Sequence, residues 1–93
     1  MKYLLKLYIT GETPNSIKAI GNLKKICEEE LAGEYEMKVV DILKEPTLAR
    51  EDKIIATPTA VKALPLPIRK VIGDLSQKEK ILLGLDLVPT GEK

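Results

Sequence analysis

The chain has 93 residues, 44% of them hydrophobic, which makes one domain with a single modest core. Three Tyr and no Phe or Trp leave that core to Leu, Ile and Val and provide no stacking platform for single-stranded nucleic acid; 15 basic residues against 14 acidic ones give no electrostatic case for DNA or a membrane surface. One Cys and no His make zinc sites, Cys–His nucleophiles and disulfide frameworks hard to build, so no metal or cofactor is expected. The start, MKYLLKLYITGE, is too short and interrupted for a signal peptide and no apolar run approaches membrane length, so a cytoplasmic protein is expected.

In chain order, residues 2–10 (KYLLKLYIT) predict an interior strand, with Tyr3, Leu5, Leu7 and Ile9 on one face and Leu4, Lys6, Tyr8 and Thr10 on the other. Thr13 is a candidate N-cap with Pro14 at the first helical position. Ile17, Ile20, Leu23, Cys27 and Leu31 then form a helical apolar stripe, opposite Lys18, Lys24, Lys25, Glu28 and Glu29, and Gly33 ends the helix. Residues 35–43 (YEMKVVDIL) read as a second strand, completing a βαβ unit with parallel strands. Pro46 opens a short helical turn over residues 47–53, followed by Ile54-Ile55-Ala56 and Thr57-Pro58-Thr59. No repeat or linker appears, so residues 1–93 read as one domain.

Residues 51–88 parse two ways. As a helix, Ser76-Gln77-Lys78-Glu79 is a capping box, Ile81, Leu82 and Leu85 share one face, and Gly84 could take the left-handed cap. As a strand, Ile81, Leu83, Leu85 and Leu87 alternate with Leu82, Gly84, Asp86 and Val88. Thr59, Val61 and Ala63 suit a strand, while Ala60, Val61, Ala63 and Leu64 suit a helix.

A βαβ unit, a short helix and then X-Pro before a strand resembles the order of a thioredoxin-like domain. Where that fold carries Cys-x-x-Cys, this chain has Gly11-Glu12-Thr13-Pro14-Asn15-Ser16. Cys27 lies three turns into the helix on its apolar stripe, as a buried structural thiol would. Asp41 could be a site carboxylate but has no identifiable base or nucleophile beside it, Glu28-Glu29-Glu30 reads as a solvated face, and the glycines lack phosphate-loop spacing. No catalytic residue is assigned, and a binding role follows by elimination.

Three stretches, LKLYITGETPNS (5–16), EYEMKVVDILKEPTLAREDKIIATPT (34–59) and IRKVIGDLSQKEKILLGLDL (68–87), resemble the KaiB family of the cyanobacterial circadian clock. The resemblance implies a metamorphic α/β protein. Its first half, residues 1–50, would be common to two folds, a thioredoxin-like βαβαββα monomer and a ground-state βαββααβ tetramer or dimer, and residues 51–93 would switch. It implies a non-enzymatic regulator whose thioredoxin-like form binds the N-terminal ATPase ring of KaiC, with KaiA and output histidine kinases as further partners. Lys18, Lys38 and Lys53 fall at family positions in the KaiC contact, Lys18 in place of an arginine often found there. Pro58, Pro65, Pro67, Gly84 and Asp86 fall at positions expected to govern the switch, and Tyr3 at an oligomer contact.

Two departures stand out. Leu66 interrupts a run of three family prolines, which removes one isomerisable bond from the expected gating by slow X-Pro isomerisation. The chain also ends at Pro89-Thr90-Gly91-Glu92-Lys93, where many members continue into an acidic tail, which leaves open a non-clock homologue acting in stress adaptation. The alternatives to a KaiC regulator are a single-fold adaptor docking onto a histidine kinase and a thiol redox enzyme.

Overall fold

The computed structural model describes residues 2–89. The element order is β1 (Tyr3–Ile9), α1 (Pro14–Glu30), β2 (Tyr35–Asp41), α2 (Pro46–Glu51), β3 (Thr59–Leu64), β4 (Arg69–Ile72) and α3 (Lys78–Gly84). This is βαβαββα, the thioredoxin-like one of the two expected arrangements. Of the terminal stretch Pro89-Thr90-Gly91-Glu92-Lys93, residues 90–93 lie outside the described residues.

The sheet order is β2-β1-β3-β4. β1 pairs with β2 in parallel, Tyr3 opposite Tyr35 through Ile9 opposite Asp41, and with β3 antiparallel, Lys6 opposite Val61 and Tyr8 opposite Thr59. The alternation of β1 decides the two layers. Tyr3, Leu5, Leu7 and Ile9 face α1 and α3 and pack with Ala19, Leu23, Ile26, Cys27, Ala60, Leu75, Ile81, Leu85 and Leu87. Tyr8 faces the other way and packs with Val40, Ala49 and Val61 beneath α2. Each fully buried aliphatic side chain contributes about 1.5–3 kcal/mol, so the larger layer supplies most of the driving force. No helix among the described residues is long and apolar enough to cross a membrane.

Thr13 caps α1 as expected, its Oγ1 accepting the Ser16 amide at 3.1 Å, with Pro14 inside the first turn. The buried stripe of α1 differs from expectation. It runs through Ser16, Ala19, Leu23, Ile26 and Cys27, and Ile17 is 58% exposed. Ser16 takes the inward position because its hydroxyl accepts from Thr13 Oγ1 at 2.9 Å, which turns Ile17 outward.

The ends of the shorter elements also correct the sequence reading. β2 stops at Asp41 rather than at residue 43, because Asp41 Oδ1 accepts the Leu43 amide at 3.0 Å and turns the chain. α2 ends at Glu51 rather than at Lys53, whose φ of 55° is left-handed. The expected capping box at Ser76 does not form. The Ser76 amide donates to Asp74 Oδ1 at 3.1 Å, holding Ser76 in a turn, and α3 starts from Gln77 with no side-chain cap. Gly84 lies within α3, and the left-handed residue after the helix is Asp86 with φ 55°. The strand parse of residues 81–87 gives way to the helical one, because Ile81, Leu85 and Leu87 all reach the larger core from this conformation.

Candidate functional site

The α2 side of the sheet carries a polar cluster set into an apolar layer. Lys6 and Tyr8 reach it because they alternate with Leu5 and Leu7 along β1. Tyr8 is fully buried, and its hydroxyl donates to the Asp52 carboxylate and lies 3.4 Å from the Leu48 carbonyl oxygen. Lys6 Nζ sits 3.3 Å from Asp52 Oδ2. The Lys70 ammonium of β4 donates to the Asp52 backbone carbonyl and, at 3.5 Å, to that of Lys53. Asp52, the residue that closes α2, is thereby tied to strands on both sides of β3. Burial first, and the Asp52 acceptor second, hold the Tyr8 hydroxyl well above its ordinary pKa, so it is a protonated donor at neutral pH.

Lys38 stands opposite Lys6 across the β1–β2 ladder, exposed on this same side. Lys53 follows Asp52 and lines a shallow cavity with Ile54, Ile55, Thr59, Lys70 and Ile72. Two of the three lysines expected at a KaiC contact therefore share one face. Lys18 does not join them: it lies on α1, across the sheet, 4.0 Å from Asp74.

The pole of the sheet where a thioredoxin carries its dithiol is closed by hydroxyls. Thr10 Oγ1 and Thr57 Oγ1 are 2.6 Å apart, and the Gly11 amide donates to Asp41 Oδ1 at 3.2 Å. Asp41, a candidate site carboxylate in the sequence, spends one oxygen on the Gly11 and Leu43 amides and acts as a turn residue. Cys27 is fully buried, and burial, with Glu28 beside it, pushes its thiol up to about 12. A protonated thiol sealed from solvent has no access to a disulfide.

The positions expected to govern a switch are spread over the second half. The Thr57–Pro58, Leu64–Pro65 and Leu66–Pro67 peptide bonds are cis. Asp86 lies 3.8 Å from the ammonium of Lys62, a residue only 1% exposed. Tyr3 is buried in this arrangement, and its hydroxyl accepts the Val88 amide at 2.9 Å.

Lys62 and Asp52 escaped sequence reasoning. Each looks like one more surface charge in its own segment, and only tertiary contacts reveal a buried ammonium and a shared carboxylate. Lys6 and Tyr8 carried a usable signal, a cation and a phenol set among leucines in an interior strand.

A family model described as the KaiB domain matches residues 6–87. The chain is 62% identical over 86 residues to the circadian clock oscillator protein KaiB of Microcystis aeruginosa, spanning 92% of this chain and 83% of that protein. It is 60% identical over 86 residues to the protein of the same name from Synechococcus elongatus, with 92% and 84% covered. Among solved structures, it is similar in fold to the N-terminal domain of Synechococcus elongatus SasA, with TM-score 0.72, 21% identity and coverage of 89% and 84%. Mitochondrial thioredoxin 3 of Saccharomyces cerevisiae is similar to the same degree, with TM-score 0.72, 17% identity and coverage of 91% and 77%.

Proposed function

The chain belongs to the KaiB family, and from that premise we propose that it is a non-enzymatic regulator of a circadian clock that acts by binding the N-terminal ATPase ring of KaiC. Similarity of about 60% over nine-tenths of the chain to proteins named as clock oscillators carries this reading. A thioredoxin-like frame whose only cysteine is buried, and whose helix N-terminus is occupied by Thr13 and Ser16, supports binding over thiol chemistry.

In this reading the protein is cytoplasmic and residues 1–93 are one metamorphic domain. Residues 1–50 are common to two arrangements and residues 51–93 refold between them. The described arrangement is the KaiC-binding monomer, and a tetramer or dimer with βαββααβ order is its resting partner. Lys38 and Lys53 contact the ring from the α2 face and Lys18 from the helix behind it. Pro58, Pro65, Pro67, Gly84 and Asp86 govern the exchange, and Tyr3 leaves the core to join the oligomer contact. KaiA and output histidine kinases compete for or extend the assembly. A partner that binds one arrangement draws the population toward it, and its apparent affinity falls by the fraction that is competent. Oligomerisation holds the other arrangement by mass action, so dilution favours binding.

The test is a two-dimensional amide spectrum of the chain over a dilution series, with and without the KaiC N-terminal ring and ATP. Two slowly exchanging peak sets are expected, with the thioredoxin-like set growing on dilution and on adding the ring. A single peak set at every concentration that nevertheless responds to the ring would overturn refolding and leave a one-shape adaptor. No response to the ring overturns the KaiC contact itself.

A further inference from the structure

Among the described residues β4 is an outer strand, paired with β3 alone. Thr59 stands opposite Ile72 and Ala60 opposite Val71, and the Gly73 amide donates to the Pro58 carbonyl at 2.9 Å. Residues of an antiparallel ladder alternate between bonding to the neighbour and turning their backbone groups away. Gly73, Val71 and Arg69 therefore spend theirs on β3, while Lys70 and Ile72 present N–H and C=O to the open edge.

The side chains of Lys70 and Ile72 stand on the α2 side, where the cavity they line with Lys53, Ile54, Ile55 and Thr59 measures about 220 Å³. Its aliphatic wall is uncovered, with Ile55 88% and Ile72 56% exposed. Two of the lining residues are lysines and none is acidic. Arg69 adds a cation on the other face of the same strand. Natural edges are commonly guarded by a lysine standing across them. Here the Lys70 ammonium is instead drawn back onto the Asp52 and Lys53 carbonyls.

We infer that this edge takes an extended acidic peptide segment as a fifth, antiparallel strand. A branched aliphatic residue opposite Ile72 fills the space beside Ile55, and acidic residues stand opposite Lys70 and Arg69. Backbone hydrogen bonds hold the strand and the alternate side chains give it specificity; each favourable cross-strand pair adds to both. A second copy of this chain is the poorer occupant, since edge-to-edge pairing sets the Arg69 and Lys70 cations of both copies at one junction. The assignment goes beyond the clock-regulator reading and does not rest on it.

The probe is acetyl-Ser-Val-Thr-Glu-Glu-Ser-amide, added to the isotope-labelled full chain and followed by amide chemical shifts. The Thr59–Ile72 Hα–Hα contact marks molecules in the described arrangement, and only their resonances are scored. Saturable shifts centred on Ile55, Lys70 and Ile72 are expected. Replacing the two Glu by Lys, or making Arg69→Glu, weakens binding about tenfold. N-methylation of the peptide Val and first Glu, whose amides face β4, abolishes binding, whereas N-methylation of the Thr spares it. Equal binding of the Lys peptide, indifference to N-methylation, or shifts centred elsewhere overturn the assignment. Concentration-dependent shifts at β4 without peptide overturn it in favour of a second copy.

Discussion

A methyl group placed on Gly84 would lie 2.5 Å from Val71 Cγ2, so α3 and β4 touch at a point where only glycine fits without adjustment. Gly84 is also inside a helix, where alanine is favoured by about 1 kcal/mol. The two effects oppose one another. Gly84→Ala alone is therefore expected to give this arrangement no net stabilisation, because displacing the stiff Val71 side chain costs about 1–3 kcal/mol against a helix gain of at most about 1 kcal/mol. In a Val71→Ala background the same change recovers the full gain of about 1 kcal/mol. A double-mutant cycle on the populations of the two amide peak sets, or on denaturant midpoints, checks this; additive effects would show that the contact is not felt.

Lys62 and Asp86 give a second cycle. The Lys62 ammonium is almost fully buried and the Asp86 carboxylate half exposed, so solvent screens the pair without removing the dependence of the lysine on it. Asp86→Asn keeps a side chain that tolerates the left-handed backbone and removes only the charge. It is expected to cost this arrangement about 1 kcal/mol, well below the loss for a fully buried pair. Adding Lys62→Met, which keeps the apolar stem and deletes the cation, is expected to return most of that loss. Urea midpoints of the single and double variants decide it.

The Tyr8 hydroxyl is a buried donor with a charged acceptor, so Tyr8→Phe leaves the Asp52 carboxylate with Lys6 alone on the sheet side. A loss of about 1–2 kcal/mol is expected. Loss of protection should concentrate in the amides of residues 52–54, which bond back to the Leu48, Arg50 and Ala49 carbonyls, because Asp52 holds α2 against β1 and β4. Hydrogen exchange reads this directly.

Cys27 sets an alkaline limit. Its thiol is raised from about 9 to about 12 in the folded chain, so the folded state keeps a proton that the unfolded state releases. The stabilising contribution is complete below about pH 9 and falls as pH rises toward 12, with a slope approaching 1.4 kcal/mol per pH unit for one proton. Cys27→Ala should be less stable at pH 7 through its cavity but show a shallower decline above pH 9. Parallel slopes for the two proteins would contradict the buried-thiol account.

Lys53→Glu and Lys38→Glu are each expected to weaken capture by the KaiC ring about fivefold, mostly through slower association and with strong salt dependence, as for exposed interfacial charges. Lys18→Glu should act more weakly if the α2 face leads the contact, since Lys18 lies across the sheet beside Asp74. Association rates at two ionic strengths separate these cases.

The sequence by itself determined the first half. An alternating β1, a Thr-Pro helix start and a second apolar strand are local patterns, and all appear within a few residues of their expected bounds. It also determined that no thiol chemistry sits at the helix N-terminus, because residue identity alone answers that. The second half carried two parses, since short apolar runs such as ILLGLDL satisfy periods of both two and 3.6. Long-range packing decided between them in this arrangement: Ile81, Leu85 and Leu87 fill the layer opened by Leu5 and Leu7, and β4 closes against β3. Tertiary structure alone placed Lys62 in the core, drew Lys6, Tyr8 and Lys70 onto Asp52, and left the β4 edge open. These are contacts between segments far apart in the chain, and no local periodicity encodes which charge another segment will bury.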